Sequence, residues 1–284
     1  MPKHYEALQR AEEERRRKAS GTNAPVPAAV AFQAGPPAPT PASPPGLWQR
    51  LLSRVKPGTR PQAEEAVDTN KRRIALLQPD SYVAEQYRSL RGRIDSLASQ
   101  RPLKTLAVTS ANSGEGKSTC SLNLACVTAM SVGRNVLLID CDLRRPKVHW
   151  TLGLQPQVGL AEVLLNRATV DEAILKLEGV NLDVLPVRSI PSNPSELLAS
   201  PEMRRLIEEV AGRYDRVILD TPACLGLPDA KTISELCDGL VMVVRADVTS
   251  QEDVRAALDI LDRRRVVGLV LNGSEATREQ YGYY

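Results

Sequence analysis

Residues Ser110 to Thr119 read Ser-Ala-Asn-Ser-Gly-Glu-Gly-Lys-Ser-Thr, between the apolar run Leu103 to Ser110 and a helical pattern from Lys117 to about Ser131. A strand, a glycine-rich turn and a helix in this order make a phosphate cradle. Backbone N–H groups of the turn point inward and the helix adds the positive end of its dipole. Gly114 and Gly116 permit the close backbone approach, and Lys117 can bridge β- and γ-phosphates. The Ser118 hydroxyl can ligate Mg²⁺, and Thr119 can reach the α-phosphate. Against the pattern G-x-x-x-x-G-K-[ST], only the first glycine differs, replaced by the small Ala111.

Such a loop works only when its strand and helix are held by neighbours, and the rest of the chain supplies them. Short apolar segments recur as NVLLID, LDVLPV, RVILD, GLVMVV and VVGLVL, with helical stretches between them. That alternation predicts a mostly parallel α/β sheet with crossover helices, over roughly residues 75 to 275. Two strands end in acid: Asp140, followed by Asp142, and Asp220. Ligands of open α/β sheets bind at that carboxyl edge, and Mg²⁺ needs only one or two carboxylates beside phosphates and water. The expected metal ligands are therefore Ser118, Asp140, Asp142 and Asp220. A helix should start near Asp80 or Ser81, with Val83, Tyr87, Leu90, Ile94 and Leu97 on its apolar face.

Composition excludes other chemistries. The 37 basic and 34 acidic residues nearly cancel, which argues against nucleic-acid binding through bulk charge, and 42% hydrophobic residues can build one large core. The two histidines, His4 and His149, cannot make a metal centre or catalytic triad. Cys120, Cys126, Cys141, Cys224 and Cys237 form no C-x-x-C pair and read as buried thiols. No apolar run approaches the roughly 18 residues of a membrane span, and the charged N-terminus has no secretory pattern, so the chain is expected in the cytoplasm.

The ends are organised differently. Tyr5 to Lys18 carries the i,i+4 pairs Glu12/Arg16, Glu13/Arg17 and Glu14/Lys18, which suit either a solvated helical stub or a docking peptide. Eleven of the 21 prolines fall in the first 65 residues, the mark of a linker. Three of the seven tyrosines, Tyr281, Tyr283 and Tyr284, stand in the last four positions after a polar stretch. They are accessible phosphoryl acceptors or rings that dock on the domain.

These motifs together resemble the bacterial tyrosine kinases that accompany capsular and exopolysaccharide synthesis. The resemblance covers about residues 78 to 284: EQYRSLR (Glu85 to Arg91), TSANSGEGKST, LLIDCDLRRP, PSNPSELLASPEM, VILDTPA, Asp229-Ala230 and the terminal YGYY. It makes the second, third and fifth strings Walker A, Walker A′ and Walker B of a P-loop fold. It divides the chain into a charged helix (1–20), a linker (21–75), a kinase domain (76–275) and a tyrosine tail (276–284). Ser113 and Ala223 stand where the family usually has proline, and the tyrosine cluster is short for the family.

The resemblance implies an ATP- and Mg²⁺-dependent autokinase. Its nucleotide would be bound by Ser113, Gly114, Glu115, Gly116, Lys117, Ser118, Thr119 and Asn272, the last reading adenine or else closing an Asn-Gly turn. Asp140 would be the general base, Asp142 and Asp220 would orient the metal, and Lys117 would neutralise the transferring group. Glu85, Arg88 and Arg91 would join subunits in a ring, although a Glu85/Arg88 pair within the helix also fits their spacing. A membrane polysaccharide co-polymerase would activate the chain in trans at the inner membrane, and a tyrosine phosphatase would reverse the reaction. Partition and septum-positioning ATPases share the fold, but they carry a lysine where this chain has Asn112. A nucleotide-binding scaffold of the export complex without kinase activity is the other reading.

Overall fold

The computed structural model describes residues 74–274. The N-terminal charged segment, the proline-rich linker up to residue 73 and the tail tyrosines Tyr281, Tyr283 and Tyr284 lie outside the described residues.

Seven strands form one sheet: β1 (Thr105–Ser110), β2 (Val136–Asp140), β3 (Leu175–Leu177), β4 (Leu182–Leu185), β5 (Arg216–Asp220), β6 (Gly239–Arg245) and β7 (Val266–Asn272). Their spatial order is β3-β4-β2-β5-β1-β6-β7, and every pairing is parallel except β3 with β4. The apolar segments expected as strands are strands. The short β3 was not anticipated: three residues with Lys176 in the middle give no readable alternation.

Side chains alternate across the pleat, so successive residues enter different cores. Leu137, Ile139, Val217 and Leu219 pack beneath α5 (Leu160–Leu164), α7 (Pro194–Leu198), α8 (Pro201–Arg213), α9 (Asp229–Ser234) and α10 (Gln251–Ile260). The short α6 (Val170–Ala173) adds Ala173 to this layer. Leu138, Ile218, Val241 and Val243 pack on the other face beneath α1 (Ile74–Leu77), α2 (Tyr82–Ala98), α3 (Lys117–Ala129) and α4 (Val148–Leu152). Strands covered on both sides have no polar face, which is why they read as continuous apolar runs.

Strand β7 departs from this pattern. It is the last strand of the sheet, a bulge opposite Leu240 and Val241 interrupts its register, and Leu269 and Leu271 are 51% and 61% exposed. Helix α2 also differs in detail. Of the two candidate caps, Ser81 is the one used, its Oγ accepting the Ala84 N–H at 3.2 Å. Ala84 and Ile94 are buried and Tyr87 and Leu90 pack on the core, whereas Val83 and Leu97 are exposed. Arg91 accounts for the rotation: its Nη1 donates to the Val127 carbonyl at 2.8 Å and to Ser131 Oγ at 2.7 Å, fixing α2 against the end of α3.

All five cysteines are free and buried. Among the described residues no helix is long and apolar enough to cross a membrane.

The edge opposite the phosphate loop is tied by a buried cation. Arg216, 4% exposed at the start of β5, donates to the Leu103 carbonyl at 2.6 Å and to Asp95 of α2 at 2.9 Å. Asp95 also receives Arg134 at 3.1 Å. Removing Arg216 strands a buried carbonyl and leaves a cavity. Arg216→Ala should therefore lower unfolding free energy by about 2–3 kcal/mol in urea titrations, and a loss below about 0.5 kcal/mol would contradict this role.

Candidate active site

Parallel pairing brings the carboxyl ends of β1, β2 and β5 to one edge, with Asp140 the register partner of Asp220 and Asp220 the partner of Val108. The phosphate loop leaves β1 at that edge. Gly114 and Gly116 have φ of 88° and 94°, in the left-handed region that favours glycine. At Gly116 a side chain is also excluded by space, because a Cβ would lie 2.0 Å from Asn272 Nδ2.

The outward-facing groups of the loop are engaged by side chains. Asn272 Nδ2 donates to the Glu115 carbonyl at 2.9 Å, and Arg245 Nη1 to the Gly114 carbonyl at 3.1 Å. Ser110 Oγ donates to the Asn112 carbonyl at 2.7 Å. The Glu115 carboxylate is buried and accepts from the Asn112 N–H at 3.0 Å and from Thr249 Oγ at 2.6 Å. Asn112 Nδ2 reaches Asp253 of α10 at 2.9 Å. The side chain of Glu115, a residue expected at the nucleotide, thus braces the loop from behind. Asn112 is part of the same brace. Ser113 is exposed beside it.

In front of the loop lies a cavity of about 330 Å³ lined by Gly114, Gly116, Lys117, Ser118 and Thr119, with Asn272 and Gly273 at the end of β7. Leu122, Val148 and Thr151 give it a less polar wall. Lys147 and Arg245, which belong to none of the motifs, line it too. Nothing local marks them; they reach the cavity only because β2 and β6 flank β5 and β1 in the sheet. Among the described residues, the lining has three cations and no carboxylate. At the mouth of a helix N-terminus this is a site for a polyanion, and the first-turn N–H groups of α3 are open to it.

Beside the cavity stand the carboxylates. Asp140 is wholly buried: Oδ1 accepts the Asp142 N–H and Oδ2 the N–H groups of Lys147 and Val148, each at 3.1 Å. Burial, then repulsion from Asp220, pushes its pKa up to about 8 in spite of those donors. Asp220 is raised as well, chiefly by burial, with Lys117 and the hydroxyls of Ser118 and Ser121 opposing. Its Oδ1 accepts Ser121 Oγ at 3.1 Å, while Oδ2 is buried without a hydrogen bond. Asp142 Oδ2 lies 3.6 Å from Lys117 Nζ, and its Oδ1 takes the Arg145 N–H at 2.9 Å.

An unpaired oxygen on a desolvated carboxylate beside the Ser118 hydroxyl fits a divalent cation. Among the described residues no three His, Cys, Asp or Glu side chains form a ready cage; Mg²⁺ completes its shell with water and phosphate and needs only one or two carboxylates.

One network was not legible as such. Arg144 donates to Asp229 at 2.9 Å and to Ser195 at 2.8 Å, and Ser195 donates to the fully buried Asp229. Three segments far apart in the sequence thereby hold the stretch after β2 in place. Glu85, Arg88 and Arg91 lie on α2 rather than at the cavity. Glu85 pairs with Arg88, which also donates to the Pro79 carbonyl, and Arg91 is bound to α3 as described.

The AAA domain family model matches residues 103–264. Over 214 residues the chain is 40% identical to tyrosine-protein kinase YwqD of Bacillus subtilis (strain 168), covering 74% of this chain and 90% of that protein. The kinase domain of Escherichia coli tyrosine kinase ETK has a TM-score of 0.66 at 31% identity, covering 74% of this chain and 84% of that one. The Pyrococcus furiosus cell division ATPase MinD reaches a TM-score of 0.53 at 27% identity, covering 62% and 74% respectively.

The buried carboxylates have a measurable signature. Both hold protons more tightly folded than unfolded, so the folded state binds more protons above about pH 4, for Asp140 up to about pH 8. Stability is fully present below the unfolded pKa and falls as pH rises through about 8. Asp220→Asn removes one charge and its repulsion of Asp140. By calorimetry in metal- and nucleotide-free buffer, its Tm should exceed that of the native chain by about 3 °C or more at pH 8, and the gap should close towards pH 5. Parallel Tm curves would contradict the assignment.

Proposed function

The chain belongs to the bacterial tyrosine-protein kinases, and from that membership we propose that it transfers the γ-phosphate of ATP to tyrosines of its own C-terminal segment, from one subunit to the next. The observation that carries the reading is the pair of buried carboxylates, Asp140 and Asp220, side by side at the edge of a cationic phosphate cavity. The partition-type alternative is weaker, since its neighbour aligns less completely and Asn112 serves as a loop brace.

The cradle of Gly114 to Thr119 receives the phosphates. Ser118, Asp142 and Asp220 would hold Mg²⁺ directly or through water, and the ion would neutralise charge on the β- and γ-phosphates. Lys117, now beside Asp142, turns to the γ-phosphate as charge develops on it. Asp140 takes the proton of the attacking phenol once it is ionised, a form that a cation held beside it by Ser118, Asp142 and Asp220 would favour. A phenol of pKa about 10 is poorly matched to an ordinary carboxylate, and burial narrows that gap. As the tyrosine oxygen bonds to the γ-phosphorus, the bond to the β–γ bridging oxygen breaks and ADP leaves. Asn272, tethered to the loop, is proposed to read the adenine edge as well.

Residues 76–275 make the kinase domain in this reading, and Tyr281, Tyr283 and Tyr284 are the acceptors. The nine residues from Asn272 to Tyr281 can span about 30 Å, enough to reach a neighbouring subunit. Glu85, Arg88 and Arg91 would join such neighbours by exchanging their internal bonds for contacts across the ring. Several phosphates, each of about −1.5 to −2 charge, would then repel one another and loosen it. A co-polymerase in the inner membrane would recruit and activate the chain, a phosphatase would reset it, and the cycle would regulate exopolysaccharide or capsule polymerisation and export.

Lys117→Ala and Asp140→Asn should each abolish phosphotyrosine in the purified chain incubated with Mg-ATP, read by intact mass; undiminished phosphorylation would overturn the site. In a second experiment, inactive Lys117→Ala chain with its tail intact is mixed with active chain carrying Phe at positions 281, 283 and 284. Phosphate on the inactive chain supports transfer between subunits, and its absence refutes it.

A further inference from the structure

Arg245 is the last residue of β6, and its register partner on β7 is Asn272. Its Nη1 donates to the Gly114 carbonyl at 3.1 Å, the one side-chain bond it makes among the described residues. The remaining guanidinium donors are therefore open on an exposed side chain that lines the 330 Å³ cavity.

The sheet order fixes which part of a ligand Arg245 meets. From the carboxylates the strands run β2, β5, β1, β6, β7. The carboxylates Asp140 and Asp220 stand at the ends of β2 and β5, the phosphate loop follows β1, and Arg245 ends β6. Neighbouring strands are about 4.8 Å apart, so β2 and β6 are separated by about 14 Å. A nucleotide with its terminal phosphate at the carboxylates and its inner phosphates on the loop must carry its nucleoside towards β6 and β7.

We propose that Arg245 is a nucleoside-binding residue, its guanidinium plane covering the purine ring at the β6–β7 end of the cavity while its Nη1 bond to Gly114 holds that plane in position. A guanidinium is suited to the task because it is flat, weakly hydrated and stacks on aromatic faces, whereas an ammonium offers a point charge and no plane. The inference rests on the nucleotide reading above and adds a residue that reading does not use.

The test compares the full chain with Arg245→Ala and Arg245→Lys by calorimetric titration with Mg-ADP and with Mg-tripolyphosphate, which lacks the nucleoside. Both variants should bind ADP about tenfold more weakly and tripolyphosphate within about threefold of the native chain. Equal losses for both ligands would make Arg245 a phosphate or loop contact, and no loss for ADP would give it no binding role; either overturns the proposal. If tripolyphosphate gives no heat with the native chain, the lysine variant decides alone: weakened ADP binding supports the stacked plane, and full retention overturns it. A native chain that binds no ADP would fail the nucleotide reading itself, a distinguishable outcome.

Discussion

Two carboxylates at the ends of adjacent parallel strands, both out of water, are an electrostatic liability that the surrounding structure is arranged to contain. Asp140 is held by three backbone N–H groups, and Asp220 by a serine hydroxyl with Lys117 nearby. These donors come from the segment after β2 and from the first turns of α3. The Arg144, Ser195 and Asp229 network supports the first of these, and the packing of α3 under α1 and α2 supports the second. The repulsion is only partly offset: Asp140 remains well above an ordinary carboxylate and one oxygen of Asp220 has no partner. A site left in that condition is suited to receive a cation and a proton, the two things that phosphoryl transfer to a phenol must manage.

The phosphate loop is organised by the complementary principle. Its carbonyls and its one buried carboxylate turn outward and are engaged by Asn272, Arg245, Asn112 and Thr249. With these groups occupied, the first-turn N–H groups of α3 face the cavity. Preorganisation of this kind places the cost of orienting dipoles in folding rather than in the reaction. It also explains why glycine at position 116 serves two purposes, a left-handed backbone and the close approach of Asn272.

What the sequence disclosed follows from the range of the interactions concerned. The loop, the strand-end acids, the strands buried on both faces and the Ser81 cap are written in neighbouring residues, and they stand where local reasoning puts them. The orientation of α2 depends on Arg91 meeting α3, 36 residues away, so the apolar stripe alone misassigned Val83 and Leu97 as inward. Glu115 sits in the motif, and the bond its carboxylate makes to Thr249, 134 residues on, is not legible there. The union of Arg144, Ser195 and Asp229, and the entry of Arg245 and Lys147 into the cavity, follow from strand order, which no single window of sequence contains.

Strand β7 closes the row of the sheet, and among the described residues nothing pairs with its outer side. Proteins commonly guard such a border with a lysine, a proline or an inward charge, and Val266–Asn272 has none of these, with Leu269 and Leu271 bare on its surface. Among the described residues its bulge is the single safeguard, because it twists the ladder away from the flat geometry that a foreign strand needs. Colloidal behaviour of the isolated domain is thereby set at a place remote from its charge balance. At high concentration, self-association would begin at this border by backbone pairing, would be insensitive to salt, and would respond to one charge introduced at Leu269 or Leu271 more than to any change in net charge elsewhere.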